Sequence, residues 1–269
     1  MKIIICPDPA HVAVLAARLL ADQVRGRPES VLGLATGRTM EAIYRRLVGT
    51  ARADGVDFGA VTTFNLDEYV GLPGGHAQSY RHYMHAHLFA HVDLAPERTH
   101  VPDGAAPDAD AEAAGYEARI AQAGGIDLQL LGLGENGHIG FNEPLSALAS
   151  RTRVVTLAQA TLAQNAGMFG GDPSRVPTRA ITMGTGTILE ARRTLMVVTG
   201  ARKAAIAARA IEGPVSAAVP GSALQFHPDC LVLLDAAAAS GLAQRDAIEW
   251  QMRHDPELVA IQPARSAGP

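Results

Sequence analysis

The sequence predicts an α/β fold with three layers, in which helices cover both faces of a mostly parallel, Rossmann-like sheet. Two observations lead to this fold class. Short apolar runs, typical of buried strands, alternate along the chain with stretches whose apolar residues recur at helical spacing. Polar residues also gather directly after several of these runs, which is where a parallel sheet places its ligand-binding groups.

In the first half of the chain the alternation is regular. Asp8 and Pro9 form an N-cap and first-turn pair, and apolar residues recur at helical spacing beyond them, which predicts the first helix. Strands are expected at residues 2–5, 31–35, 61–64 and 126–133. Further helices are expected after Thr39, at residues 79–89 and at residues 109–122.

The second half follows the same alternation with weaker signals. Strands are expected at residues 152–157, 181–184, 195–199 and 231–235. Helical segments are expected at residues 158–169, at 187–191, and from Lys203 to a stop at Gly213 and Pro214. Residues from about 264 to 269 lack a core-forming pattern, so they are expected to form a mobile tail.

Composition sets the class of protein. With 269 residues, 48% of them hydrophobic, residues 1–269 are interpreted as a single domain with a core of ample size. The formal charge of −4 and the scattered Lys and Arg residues argue against a nucleic-acid partner. The apolar run at the start is too short for a signal-peptide core, and no run is long enough to span a membrane, so no membrane association is expected.

The cysteines and histidines show no pattern of metal ligation. Cys6 and Cys230 both lie in strand-like apolar surroundings without Cys-x-x-Cys spacing, which favours reduced core thiols and a cytoplasmic protein. Five of the ten histidines fall in one helical segment without matching acidic residues. No metal site is therefore predicted.

The stretch from residue 127 to residue 144 carries the strongest chemical signal. An apolar strand is followed by a glycine-rich loop that holds Asn136, His138 and Glu143. Imidazole can both take and return a proton near neutral pH. Glu143 could orient that imidazole through a ring N–H, as a carboxylate orients catalytic histidines elsewhere. A loop histidine bonded only to its own backbone is the alternative interpretation.

Three other segments carry polar residues at predicted strand ends. Asp67 and Glu68 follow the third strand, and at most one of the two is expected to face a site, where burial would raise its pKa and suit it to act as a base. The turn formed by Thr36, Gly37, Arg38 and Thr39 precedes a helix, so its amides favour an anion such as phosphate. Lys203 starts another helix and is a further candidate phosphate contact. Each segment taken alone also fits an ordinary connection or a solvated surface.

Taken together, these segments resemble the glucosamine-6-phosphate deaminase family, also known as the glucosamine/galactosamine-6-phosphate isomerases. The resemblance rests on five blocks in this order: GLATGRT, TTFNLDEYVGL, DLQLLGLGENGHIGFNEP, ASRTRVVTL and PGSALQFHPD. The likeness extends from the first strand to about Asp235. The DEYVGL and GHIGFNEP blocks are the most specific, because the related 6-phosphogluconolactonases share the fold without that combination.

The resemblance implies an amino-sugar-phosphate isomerase-deaminase that forms fructose 6-phosphate and ammonium from glucosamine 6-phosphate and water, in amino-sugar catabolism. His138 would shuttle a proton during ring opening, Asp67 would move a proton from C2 to C1, and Glu143 would support His138. The phosphate would bind at Thr36, Gly37, Arg38, Thr39 and Lys203. No metal or organic cofactor is implied, and the partner is the small amino-sugar phosphate.

Several residues depart from the family pattern. Asn136 stands where many members have aspartate, and Met40 where proline is usual. Gly167 occupies the place of a phosphate-binding arginine, and we expect Arg38 to supply that missing cation.

Allosteric regulation and assembly are less firmly implied. Ser146, Arg153 and Thr156 match part of a family allosteric site, but Val155 replaces a lysine there. The resemblance leaves open whether the chain forms a homo-oligomer or acts alone.

Two other functions compete with the first. One is a paralogue acting on a different sugar phosphate, including a 6-phosphogluconolactonase-like enzyme. The other is a non-catalytic sugar-phosphate sensor, since the same fold serves as a ligand-binding domain in bacterial regulators. The presence of Asp67, His138 and Glu143 and the lack of a helix-turn-helix extension argue against a sensor. Fold alone does not separate these functions.

Overall fold

A computed structural model describes residues 1–262 of the chain. The predicted mobile tail at about residues 264–269 lies outside this range. The strands are β1 (Lys2–Cys6), β2 (Val31–Leu34), β3 (Thr62–Asn65), β4 (Asp67–Tyr69), β5 (Thr99–His100), β6 (Leu128–Gly132), β7 (Arg153–Thr156), β8 (Arg179–Thr182), β9 (Arg193–Val198) and β10 (Cys230–Asp235).

The helices alternate with these strands. They are α1 (Pro9–Gly26), α2 (Arg38–Asp54), α3 (Tyr80–His87), α4 (Ala109–Gln122), α5 (Gln159–Asn165), α6 (Thr185–Leu189), α7 (Ala204–Ile211), α8 (Arg245–His254) and α9 (Pro256–Ile261). As the sequence predicts, the side chain of Asp8 caps α1 by accepting a hydrogen bond from the backbone N–H of His11. None of the helices within residues 1–262 has the length and apolar character needed to cross a membrane.

The main sheet has seven parallel strands in the order β1-β10-β9-β6-β2-β3-β5, with helices packed around it. The predicted fold class is confirmed. Its central strands are almost wholly buried, which explains why they read as continuous apolar runs rather than alternating ones. Cys6 and Cys230 are both free and buried in β1 and β10, as expected for core thiols.

A second sheet was not predicted. It is a three-stranded antiparallel sheet in the order β4-β8-β7, which joins the segment after β3 to two strands from the second half of the chain. Two further differences concern helices. The expected helix at residues 158–169 is split into α5 and a 3₁₀ turn, Ala166–Phe169, and α8 and α9 had no counterpart in the sequence prediction.

The order of the strands fixes where a ligand can bind. From β2 the chain continues outward to β3, whereas from β6 it continues, through β7 and β8, to β9 on the other side. The carboxyl ends of β2 and β6 therefore open into a crevice at the point where the winding direction changes, the usual binding position in such sheets.

Candidate active site

The main pocket lies at the carboxyl ends of four parallel strands of the large sheet. It has a volume of about 440 Å³ and is lined by residues that follow β2, β3, β6 and β9, together with residues of α3 and α5. Seven residues singled out from the sequence line it: Thr36, Gly37, Arg38, Thr39, Asp67, His138 and Lys203. A cavity of about 560 Å³ at the opposite end of β1 and β10 contains none of them.

The turn after β2 presents a helix N-terminus to the main pocket. Gly37 has φ +116° and ψ 167°, a conformation that L side chains rarely adopt, and α2 begins directly after it. No side chain within residues 1–262 caps this end of α2. The Tyr83 hydroxyl donates a hydrogen bond to the Gly37 carbonyl at 2.8 Å and thereby fixes the turn from α3. The exposed amides and the helix dipole make this turn suited to an anion.

Asp67 and Glu68 have separate surroundings, as the sequence predicts. Glu68 points away from the main pocket and accepts hydrogen bonds from the backbone N–H groups of Tyr69, Tyr80 and Arg81, at 2.9, 3.0 and 3.1 Å. It therefore anchors the start of α3. Asp67 lines the pocket with only 6% of its surface exposed, and its carboxylate accepts no hydrogen bond from residues 1–262.

Asp67 has a strongly raised pKa. Burial is the main cause and the negative charge of Glu68 the second, and together they raise the pKa of Asp67 to about 8. A carboxylate with this pKa binds a proton readily near neutral pH and releases it again. The geometry therefore makes Asp67 suited to act as a general base.

His138 is held by a loop that depends on glycine. The Gly134 N–H donates to the carbonyl of His138 at 2.8 Å, and the imidazole ring lies directly against the Gly134 backbone. A Cβ atom at residue 134 would lie 2.3 Å from the ring. Gly134 is therefore required for the imidazole to occupy this position.

Asn136 lies between His138 and Glu143. His138 Nδ1 is 2.7 Å from Asn136 Oδ1, and Asn136 Nδ2 donates to Glu143 Oε2, also at 2.7 Å. The direct separation of His138 Nδ1 and Glu143 Oε2 is 3.7 Å, beyond hydrogen-bond distance. The expectation that Glu143 bonds the ring directly is thus corrected: the Asn136 amide makes the contact. Neither Asn136 nor Glu143 lines the main pocket.

This arrangement selects one tautomer of His138. Ionised Glu143 can only accept, so it takes the NH₂ group of Asn136 and turns the amide oxygen toward His138. The backbone N–H of His138 donates to the same oxygen at 3.2 Å, which holds the amide in this orientation. Because the amide oxygen is an acceptor, Nδ1 carries the ring proton and Nε2 is left as the proton acceptor.

His138 is also kept neutral. Its side chain is 14% exposed, and burial lowers its pKa; the charge of Glu143 raises the pKa and that of Lys203 lowers it. The neutral ring with a free Nε2 can take a proton from a hydroxyl and return it to another oxygen.

Lys203, Arg38 and Arg202 form a group of cations in the main pocket. Lys203 is half-buried, and its pKa is lowered by burial first, with Glu135 raising it and the charges of Arg202 and Arg38 lowering it. Arg202 forms an ion pair with Glu135 at 3.7 Å, and Arg38 is exposed at the start of α2. Beside the α2 N-terminus, this set of charges is suited to a phosphate group.

Two residues of the site were missed by the sequence analysis. Thr161, on α5, donates a hydrogen bond to Glu143 Oε1 and is 2% exposed, and Tyr83 holds the Gly37 turn. Nothing in the sequence marks either one, because their partners are distant in the chain. Thr161, Glu143, Asn136 and His138 form a continuous line of hydrogen bonds, which we call the relay.

The three candidate allosteric residues lie outside the main pocket. Arg153 donates to Asn142 Oδ1 at 2.9 Å, so its guanidinium is turned inward. Ser146 donates its N–H to the carbonyl of Glu143 at 2.9 Å, in the turn that follows it, and Thr156 is exposed at the end of β7. None of the three therefore lines the main pocket, and Ser146 contacts the site through its backbone hydrogen bond to Glu143.

Gly134→Ala is expected to displace His138 and to lower kcat by about 10-fold or more, with a loss of stability of about 1–3 kcal/mol from overpacking. Turnover and urea unfolding would measure the two effects. Gly49→Ala is the matched control, because an added Cβ there meets nothing within 4 Å in the interior of α2. The control should gain about 0.5–1 kcal/mol. Native kcat in Gly134→Ala would show that the loop relaxes without moving the imidazole.

Comparison with known proteins gives a consistent result. The family model described as glucosamine-6-phosphate isomerases/6-phosphogluconolactonase matches residues 9–232. The glucosamine-6-phosphate deaminase of Shewanella loihica is 52% identical over 246 residues, covering 91% of each chain. That of Hahella chejuensis is 49% identical over 250 residues, covering 93% of this chain and 95% of the relative. A solved structure described as a monomeric glucosamine-6-phosphate deaminase has a TM-score of 0.88 and 43% identity, covering 90% of this chain and 100% of its own.

Proposed function

The chain belongs to the glucosamine-6-phosphate isomerase/6-phosphogluconolactonase family, and on this basis we propose that it converts glucosamine 6-phosphate and water to fructose 6-phosphate and ammonium. The reaction opens the sugar ring, moves a proton from C2 to C1 and replaces the amino group by water. It is an enzyme of amino-sugar metabolism by the names of its relatives.

One observation carries the proposal on the structural side. Three kinds of group meet in one pocket: a buried carboxylate that accepts no hydrogen bond from residues 1–262, a neutral imidazole with one basic nitrogen, and a group of cations at a helix N-terminus. A phosphorylated sugar that must lose a proton from carbon and pass one between oxygens needs each of these groups.

His138 is assigned the ring-opening step. Its Nε2 takes the proton of the anomeric hydroxyl as the bond between C1 and the ring oxygen breaks, and the same proton then goes to that oxygen. The proton count of the enzyme is unchanged, so the imidazole is ready for the next substrate. The relay keeps Nδ1 protonated throughout.

Asp67 is assigned the carbon chemistry. The ionised carboxylate removes the C2 proton of the open-chain aldehyde. As the enol forms, the substrate's own ammonium group gives a proton to the C1 oxygen, which leaves an amine with a free lone pair. The proton held by Asp67 is then delivered to C1, with the nitrogen lone pair forming an iminium at C2. Water adds to C2 and ammonia leaves, giving the ketose. Burial of Asp67 matches the task, because the carboxylate must hold a proton between the two carbon positions.

The proposal is tested by incubating the purified protein with glucosamine 6-phosphate and measuring ammonium and fructose 6-phosphate. We expect equal molar amounts of the two products. Unphosphorylated glucosamine should be turned over far more slowly, because it lacks the group that the cations bind. Galactosamine 6-phosphate in a parallel assay would show whether the configuration at C4 matters.

The alternatives give different results in the same assays. Turnover of another sugar phosphate, or hydrolysis of 6-phosphogluconolactone, without release of ammonium would identify the paralogue with a different substrate. Binding of sugar phosphates with no turnover of any of them would identify a sensor. The names of the relatives favour the deaminase, and the basic Nε2 of His138 favours an enzyme over a sensor.

We also propose that one copy of the chain is sufficient for activity and that it works as one domain, residues 1–269, in the cytoplasm. All residues assigned a role here come from one chain, and a related solved structure is described as monomeric. Two buried free cysteines are consistent with a reducing compartment. Specific activity that rises with protein concentration would instead indicate an active homo-oligomer, for which Ser146, Arg153 and Thr156 would be the first residues to test.

A further inference from the structure

Thr161 contacts the relay from a separate part of the chain. It lies on α5, outside the loop that carries the other three relay residues, and its hydroxyl donates to Glu143 Oε1. Glu143 Oε2 accepts from Asn136. Both oxygens of the carboxylate therefore receive a donor. Glu143 and Thr161 are buried, and Asn136 is half-buried.

The protonation state of Glu143 determines whether the oxygen or the NH₂ group of the Asn136 amide faces His138. While Glu143 is ionised it can only accept, so the amide NH₂ faces Glu143 and the amide oxygen faces the ring. A protonated Glu143 could donate to the amide oxygen instead. The amide would then turn its NH₂ toward Nδ1, and the ring proton would move to Nε2, where it blocks proton uptake. A donor on Oε1 stabilises the ionised form and opposes this change.

We propose that Thr161 is a positioning residue for the ring-opening step: its hydroxyl holds the Glu143 carboxylate where it accepts from the Asn136 amide, and so keeps His138 in the Nδ1–H tautomer. The kinetic part of this inference rests on the proposed function. Because Thr161 lies on α5, the relay is complete only while α5 covers the pocket.

The structure supplies a matched comparison on the same helix. Asn165 Nδ2 donates to the Tyr69 hydroxyl at 2.8 Å, so α5 makes one hydrogen bond to the relay and another to the aromatic cluster around Tyr69. Loss of the Asn165 contact loosens α5 without touching Glu143. If Thr161 acts only by packing α5, Asn165→Ala should have the same effect as removing the Thr161 hydroxyl. If Thr161 acts through Glu143, Asn165→Ala should not have that effect.

The test uses Thr161→Val, which keeps the shape and removes the hydroxyl, Thr161→Ser, which keeps the hydroxyl, and Asn165→Ala. The ¹⁵N shifts of the His138 ring in histidine-labelled protein, measured without substrate, report the tautomer. We expect Nδ1–H in the native protein and in Thr161→Ser, and a substantial Nε2–H population in Thr161→Val. With glucosamine 6-phosphate, Thr161→Val should lower kcat by about 10-fold with little change in KM.

The split between kcat and KM gives a second readout. The charged groups acting on His138 are Glu143 and Lys203, and both are unchanged in these variants. Loss of the Thr161 donor should therefore lower kcat through the tautomer of His138 and leave KM near its native value. Asn165→Ala should leave the tautomer unchanged.

Two results would overturn the inference: a native tautomer and native kcat in Thr161→Val, or equal changes of tautomer and kcat in Asn165→Ala. A changed tautomer in a protein that turns over no amino-sugar phosphate would uphold the positioning role of Thr161 and reject the proposed function. The two proposals can therefore fail separately.

Discussion

Asp67→Asn is expected to lower kcat for glucosamine 6-phosphate by about 10²–10⁴-fold, the usual contribution of a positioned general base. Asparagine has nearly the shape of a protonated aspartic acid but cannot accept a proton from carbon. Exchange of the C2 hydrogen with solvent, followed by NMR in D₂O, should stop. Binding of the sugar phosphate should persist, because the cations that hold the phosphate are unchanged. Native C2 exchange in this variant would remove Asp67 from the role of base.

The same substitution should stabilise the protein, increasingly so at high pH. The pKa of Asp67 is about 8 in the folded protein, against an ordinary aspartate value of 3.8. Between these pH values the folded state holds a proton that the unfolded state has lost, so the free energy of unfolding falls as pH rises toward 8. Asparagine removes this dependence. The stability advantage of Asp67→Asn should grow by on the order of 4 kcal/mol from pH 5 to pH 9.

Thermal and urea unfolding at pH 5, 7 and 9 would measure this difference. Asp246→Asn is the control, since Asp246 is exposed in the first turn of α8, far along the chain from the pocket. It should show no comparable growth with pH. In the active native enzyme, kcat/KM should rise as Asp67 ionises, reach half of its maximum near pH 8 and level off at about pH 9 or above. A stability advantage that is the same at all three pH values would mean that Asp67 ionises as easily as an exposed carboxylate.

Arg38→Ala is expected to raise KM for glucosamine 6-phosphate by about 10–100-fold with a smaller effect on kcat, as a charge-assisted contact to phosphate is lost. Arg38 lies at the α2 N-terminus, lines the pocket and is close enough to Lys203 to lower its pKa. Lys203→Ala should have an effect of similar size. Arg46→Ala, at an exposed position further along α2, is the matched control and should leave KM unchanged.

Unphosphorylated glucosamine separates a phosphate contact from a general effect on the pocket. If Arg38 binds phosphate, Arg38→Ala should not change kcat/KM for that sugar. Gly167→Arg offers a second test, because an added Cβ at Gly167 meets nothing within 4 Å and the neighbouring Met168 lines the pocket. When Gly167→Arg is added to Arg38→Ala, the KM for glucosamine 6-phosphate should fall again. An unchanged KM in Arg38→Ala would show that Arg38 does not replace the family's phosphate-binding arginine, whose place Gly167 occupies.

Much of the fold could be predicted from the sequence because its strands are buried on both faces. Such strands form continuous apolar runs, so β2, β6, β9 and β10 were located to within a few residues. The small sheet of β4, β7 and β8 was not predicted as a sheet, because β4 has three residues and its partner strand comes more than 100 positions later. Short strands with distant partners leave little local pattern.

The sequence by itself determined the fold class, the strand ends that bear polar residues, and the residue types available for acid/base chemistry and phosphate binding. Only the tertiary structure decided which atoms meet. It placed Asn136 rather than Glu143 against the ring of His138, separated Asp67 from Glu68, and brought Thr161 to Glu143. The physical reason is that burial and strand propensity act locally, whereas hydrogen-bond direction and the pKa of Asp67 depend on groups joined only by the folded chain.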